Sequence, residues 1–131
     1  MSPARHDPDT AARPQPAGQA LAERLCELAA EKKARATSLY DVRELTSYTD
    51  FILILGATSD RHARALADHL RRSLREQGVR PVGVEGEESG HWVLLDYGDV
   101  IVHVMQDQTR TYYDLDGLWI DARQLPAGEE A

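Results

Sequence analysis

From Gln19 to about Ala34 the apolar side chains Leu21, Leu25, Leu28 and Ala29 recur at helical spacing, with Glu23, Arg24, Glu27 and Glu31 directed mostly elsewhere, which predicts an amphipathic first helix. Residues 38–45, SLYDVREL, read as a short strand, and TSYTD at 46–50 connects it to FILILGA at 51–57. That second run is apolar at nearly every position and suits a central strand covered on both faces. Gly56 then allows a turn, Ser59 is a natural N-cap, and Asp60 stands favourably in the first turn of the helix that follows. Its buried stripe is Ala63, Leu66, Ala67, Leu70 and Leu74, and Gly78 ends it. PVGVEG at 81–86 predicts a short strand, EESG a turn, and residues 90–105 a hairpin of two apolar strands. A last short helix is expected within 108–119, although Gly117 weakens it by about 1 kcal/mol relative to alanine.

This order predicts an α/β fold, a mixed β-sheet of about five strands with packed helices. The 131 residues suit one domain with a real core. Its expected span is 19–123. Pro3, Pro8, Pro14 and Pro16 mark 1–18 as a disordered leader, and 124–131 is expected to be a flexible C-terminal tail.

The hairpin, GHWVLLDYGDVIVHVM, sets an aspartate on each side of its turn. With Tyr97-Gly98 as a two-residue turn, Asp96 stands opposite Asp99, Leu94 opposite Ile101 and Trp92 opposite His103. Strand alternation then sorts two faces. One collects Val93, Leu95, Val100, Val102 and Val104, with His91 at its far end, and is a core face. The other collects Trp92, Leu94, Asp96, Asp99, Ile101 and His103, a mixed surface with carboxylates at one end. Like charges directly across a strand pair cost roughly 0.2–1 kcal/mol. Three readings of that cost are open: a well-solvated turn, a partner's lysine or arginine with Trp92 as its anchor, or a metal or acid-base site.

Charge narrows the choice. With 22 acidic against 15 basic side chains the net charge is −7, which speaks against a protein whose main task is gripping nucleic acid phosphates. No direct DNA binding is expected. An acidic chain suits a basic partner. The single cysteine, Cys26, falls in the first helical pattern and reads as a small buried residue. No apolar run reaches the roughly 18 residues of a membrane span, so a cytoplasmic protein without membrane association is expected.

Other chemistry is weakly signalled. Gly56-Ala57-Thr58-Ser59 between a buried strand and a helix has the form of a phosphate cradle, and also of an ordinary strand-to-helix turn. It resembles the opening of nucleotidyltransferase sites, but the Asp-x-Asp pair expected on a following strand is missing. His62 and His69 lie seven positions apart, too far for a simple zinc pair. The arginines 61, 64, 71, 72 and 75 are diluted by Asp60, Asp68 and Glu76, as on a solvated charged face. No catalytic residue, metal or cofactor is assigned.

The combined pattern is more specific: Thr49-Asp50 before the buried strand, Thr58-Ser59-Asp60-Arg61-His62 opening the helix, Val84-Glu85-Gly86, Trp92 through His103, Arg110, Tyr113 and Leu118-Trp119. Over about residues 20–122 it resembles the ribosomal silencing factor family, the Iojap-related proteins. The resemblance implies a nucleotidyltransferase-like α/β fold, no enzymatic turnover, and binding to the large ribosomal subunit through its ribosomal protein numbered fourteen. It implies that subunit association is blocked and translation lowered when nutrients are scarce, and that the free protein is a homodimer. Carried onto this chain, the partner surface would comprise Trp92, Leu94, Asp96, Asp99, Ile101 and His103, with Tyr97 at the tip. Asp116-Gly117 departs from a usual glutamate and helix-friendly residue, and Met105 from a frequent aromatic. The alternative is a degenerate nucleotidyltransferase that binds a nucleotide and metal.

Overall fold

The first apolar stripe forms α1, Ala17–Glu31, which buries Ala22, Leu25, Cys26, Leu28 and Ala29. The computed structural model describes residues 17–127. Of the leader expected at 1–18, residues 1–16 lie outside the described ones, and Ala17 and Gly18 belong to α1. The helix closes through Lys33, held at φ 63°, with Ala34 N–H donating to the Ala29 carbonyl and Lys33 N–H to that of Ala30.

Strand β1, Arg35–Asp41, begins and ends earlier than the pattern predicts. Its end is set by a tight turn in which Leu45 and Thr46 N–H both donate to the Val42 carbonyl. β2, Phe51–Ala57, is buried at every position. α2, Asp60–Arg75, starts at the Ser59 cap, whose Oγ accepts from His62 N–H at 3.0 Å, and buries the expected Ala63, Leu66, Ala67, Leu70 and Leu74. β3, Gly83–Glu85, β4, Trp92–Asp96, and β5, Val100–Gln106, follow.

The last helix is two pieces, α3, Asp107–Tyr113, and α4, Leu115–Leu118. Asp114 joins them in the left-handed conformation and its Oδ1 accepts from Gly117 N–H at 3.2 Å. A Cβ at Gly117 would run into the same carboxylate, so the glycine that weakens a helix is what this break needs. A short β6, Arg123–Leu125, then pairs with β1. It makes the sheet six-stranded rather than five-stranded, and it holds Gln124 and Leu125, which the sequence pattern assigns to a tail.

The strand order is β3-β4-β5-β2-β1-β6, with β2 and β5 parallel and all other neighbours antiparallel. The α/β architecture is as expected. One face carries Leu39, Phe51, Leu53, Leu55, Val93, Leu95, Val100, Val102 and Val104 against α1 and α2. The other carries Tyr40, Ile52, Ile54, Ile101 and Met105, joined by Val42 and Trp119.

The hairpin register differs from the sequence reading. Tyr97 N–H donates to the Val100 carbonyl, so the turn residues are Gly98 and Asp99, not Tyr97 and Gly98. Gly98, at φ 85°, takes the first central position, where a two-residue hairpin turn with positive φ at that place requires glycine. Asp96 therefore stands opposite Ile101, Leu94 opposite His103 and Trp92 opposite Met105. The pairing slides by two residues, and a slide by two leaves every side chain on its face.

Candidate functional site

Three rows of side chains cross the open face from strand to strand. Trp92 and Met105 lead to Gly56; Glu85, Leu94 and His103 lead to Ile54 and Ser38; Asp96 and Ile101 lead to Ile52 and Tyr40. Five of the expected site residues, Trp92, Leu94, Asp96, Ile101 and His103, are thus brought together. The two others are not. Tyr97, just past the end of β4 and of odd parity, packs against the helix-side core. Asp99 has its Cβ beside Gly18, at the N-terminus of α1, an end that favours negative charge.

The supposed carboxylate pair does not exist. Asp96 Oδ1 accepts from Gly98 N–H at 2.8 Å and so shapes its own turn. The Asp99 carbonyl accepts from Asp50 and Phe51 N–H, while Thr49 Oγ1 donates to the Gly98 carbonyl at 2.9 Å. Thr49-Asp50 is thus the clamp that holds the hairpin tip to the start of β2.

Trp92 is half-buried, and its indole N–H donates to His103 Nδ1 at 2.9 Å. The two rings lie 5.8 Å apart, across the diagonal of the strand pair. The Tyr113 ring also meets the indole, tilted by 50° at 5.1 Å, and Tyr112 meets Tyr113 edge-on at 4.9 Å. His103 is 8% exposed. Burial pushes its imidazole down to about 4, so the ring is neutral at physiological pH.

α3 and α4 close this face only thinly, since neither buries a residue of its own. They are anchored by Arg110, whose Nε and Nη2 donate to the two Asp116 carboxylate oxygens at 3.0 and 2.9 Å. Tyr40 Oη donates to Asp116 as well, and Arg110 Nη2 reaches Ser38 Oγ. Burial raises the Asp116 carboxyl, but the Arg110 bonds outweigh it and hold the group below the usual carboxylate range. Burial raises the Tyr40 hydroxyl. Trp119 inserts beneath the pair, in contact with the open-face core. Left outside are Tyr112, Tyr113, Leu118 and Ile120, with Tyr112 80% and Ile120 79% exposed.

Sequence reasoning misses these four and Glu85. The doublet of tyrosines next to Leu-x-Gly-Leu-Trp-Ile is a signal, because so short a segment has no second face on which to bury them. Glu85 has no sequence signal: only the pairing of β3 with β4 sets it level with Leu94.

The strand-to-helix turn is already occupied by the protein's own groups. Thr58 N–H donates to His62 Nδ1 at 3.0 Å, and His62 Nε2 meets the Lys32 carbonyl at 2.8 Å. His69 pairs with Glu31 at 2.9 Å, so both α2 histidines tie α2 to the end of α1. Of the α2 arginines, Arg64 reaches the Ser89 carbonyl, Arg71 pairs with Glu87 and Arg72 with Asp68. Among the described residues no three His, Cys, Asp or Glu side chains gather as a metal site, and no helix is long and apolar enough to cross a membrane.

Comparison with known proteins agrees with this architecture. A crystal structure of a protein from Chromobacterium violaceum superimposes with a TM-score of 0.76 at 36% identity, covering 86% of this chain and 93% of that one. The ribosomal silencing factor RsfS of the same organism is 47% identical over 79 residues, which are 60% of this chain and 65% of that protein. A mouse protein named for mitochondrial assembly of the ribosomal large subunit is 31% identical over 98 residues, 72% of this chain and 43% of its own length. Residues 14–131 match the profile of the family described as ribosomal silencing factor during starvation, and the chain belongs to that family.

Proposed function

We propose that the chain is a translation repressor that docks on the large ribosomal subunit through its open sheet face and blocks subunit association when nutrients are limiting. The partner is a basic large-subunit ribosomal protein, the one numbered fourteen, and the mechanism is steric occlusion without turnover or cofactor. The protein acts in the cytoplasm, and the free chain pairs as a homodimer. The observation that carries this reading is Trp92: a half-buried indole on a face that also leaves Tyr112, Tyr113, Leu118 and Ile120 exposed. Exposed aromatic patches with a polar rim mark interaction surfaces, and tryptophan is the residue type most enriched at their energetic centres. Glu85 and Asp96 give that face acidic groups, and the net charge of −7 favours approach to a cationic surface. Family membership supports the ribosome as the target, and the mouse relative's name supports the large subunit.

The test is co-sedimentation with isolated large subunits, weakened by added salt, together with inhibition of subunit joining. Trp92→Ala should cost more than about 1–2 kcal/mol of binding with its circular dichroism unchanged. Wild-type affinity in that variant would remove the face from the mechanism. A nucleotide-dependent rise in melting temperature with magnesium would instead favour a degenerate nucleotidyltransferase.

A further inference from the structure

An indole nitrogen is only ever a donor, so the bond from Trp92 to His103 makes Nδ1 the lone-pair nitrogen of the imidazole. In the neutral ring the proton then sits on Nε2. Among the described residues the buried polar side-chain atoms left without a partner are Tyr97 Oη and Trp119 Nε1. Nε2 of His103 has no hydrogen-bond partner among those residues either and is not one of the two sealed atoms, so this edge of the 8% exposed ring keeps a narrow opening to solvent. The ring has little freedom to swing. It rises from β5, an interior strand, with Leu94 and Ile54 level on either side, and its tether Trp92 is itself held by Tyr113.

We propose that Trp92 and His103 form one recognition unit, in which the indole N–H locks the imidazole as its Nε2–H tautomer and presents that N–H as a neutral donor to a main-chain carbonyl of a cationic protein surface. This rests on the docking reading above and specifies what the partner must bring. The acceptor is a neutral one because Glu85 lies on the same row beyond Leu94 and Asp96 on the next. A carboxylate or phosphate arriving at Nε2 would meet both acids. A carbonyl flanked by lysine or arginine satisfies the donor and the acids together. Trp92 is in this scheme both an apolar contact and the positioning residue for His103.

Two measurements test it. Nitrogen-15 spectra of the histidine ring in the free, full-length chain should show a protonated Nε2 and a bare Nδ1, and Trp92→Phe should let the second tautomer appear. In co-sedimentation with isolated large subunits, His103→Leu should lose about tenfold in affinity, the worth of one hydrogen bond. His103→Gln, whose amide can accept from Trp92 and donate outward, should stay within roughly threefold of wild type. A protonated Nδ1 in the free chain overturns the proposal, whether or not the leucine variant folds. Folded His103→Leu that binds like wild type overturns the donor while leaving docking intact. Competition by protein-free ribosomal RNA at equal concentration overturns the carbonyl assignment, and failure of the wild-type chain to bind overturns the docking reading and the proposal with it.

Discussion

The two faces of the one sheet are finished in opposite ways. The helix face is sealed by α1 and α2, and Leu53, Leu55, Val93, Leu95, Val102 and Val104 on it are wholly buried. The open face has a comparable aliphatic floor in Ile52, Ile54 and Met105, yet its cover is two helical fragments of seven and four residues that bury nothing of their own. Two long amphipathic helices supply a continuous apolar stripe; α3 and α4 are too short for one and hold on by two ion pairs, Arg110 with Asp116 and Arg35 with Asp107, and by Trp119. One face is therefore built for stability. The other retains apolar surface for a partner.

That contrast makes its strongest prediction at matched leucines. Leu53→Ala, in the centre of the helix face, should lower the unfolding free energy by about 3 kcal/mol, since a closed site cannot collapse around the lost volume. Leu94→Ala, half-covered on the open face, should cost roughly 1 kcal/mol in stability and more in large-subunit binding. Urea denaturation of the two variants measures the difference. Equal losses would mean that the open face is as closed as the other.

The next test is the anchor. Arg110→Ala removes both bonds to Asp116 and leaves a carboxylate whose side chain is 29% exposed. Full burial would make this worth 3–5 kcal/mol, and partial access to water reduces it to about 2. The variant should keep the helix-side core, while the near-ultraviolet signal of Trp119 weakens. Asp116→Asn should be milder, because Tyr40 Oη keeps an acceptor there.

Acid separates the faces by a third route. His103 titrates at about 4 in the folded chain against its ordinary 6.5, so between those values the unfolded chain binds more protons and stability falls as pH falls. The contribution is complete above pH 6.5 and amounts to about 2 kcal/mol lost by pH 5. Its neighbours Trp92, Leu94 and Ile54 do not titrate in that window, and Glu85 stands beyond Leu94. Denaturant midpoints at pH 7 and 5 should differ in the wild type, and by less in His103→Gln. A variant with the wild-type slope would place the acid sensitivity elsewhere.

How much of this the sequence discloses follows from period and length. Residues 51–57 and the stripe of α2 are legible because seven apolar positions and four helical turns leave few alternatives. The faces of the hairpin survive a misplaced turn because a shift of two preserves parity; the facing of Asp96 and Asp99 does not, since it depends on which residues make the turn. Tyr97 and Asp99 leave the site for that reason. β6 has three residues, too few for any alternation to register, and β3 reveals Glu85 only through its pairing. The break at Asp114 depends on a positive φ and a carboxylate cap, and so hides inside what reads as one weak helix.

The smallest expected effect on folding is the sharpest on function. Tyr112 is 80% exposed and touches its neighbour Tyr113 edge-on, so Tyr112→Ser should change stability by no more than about 0.5 kcal/mol. If the tyrosines are the rim that keeps water from the Trp92 centre, the same substitution should weaken large-subunit binding by a few-fold, less than Trp92→Ala does, because rim residues act chiefly by excluding solvent. Thermal melts and co-sedimentation on one preparation give both numbers. A Tyr112→Ser chain that melts and binds as the wild type does would confine the contact to the strands themselves, and α3 would then serve only as a lid on Trp119.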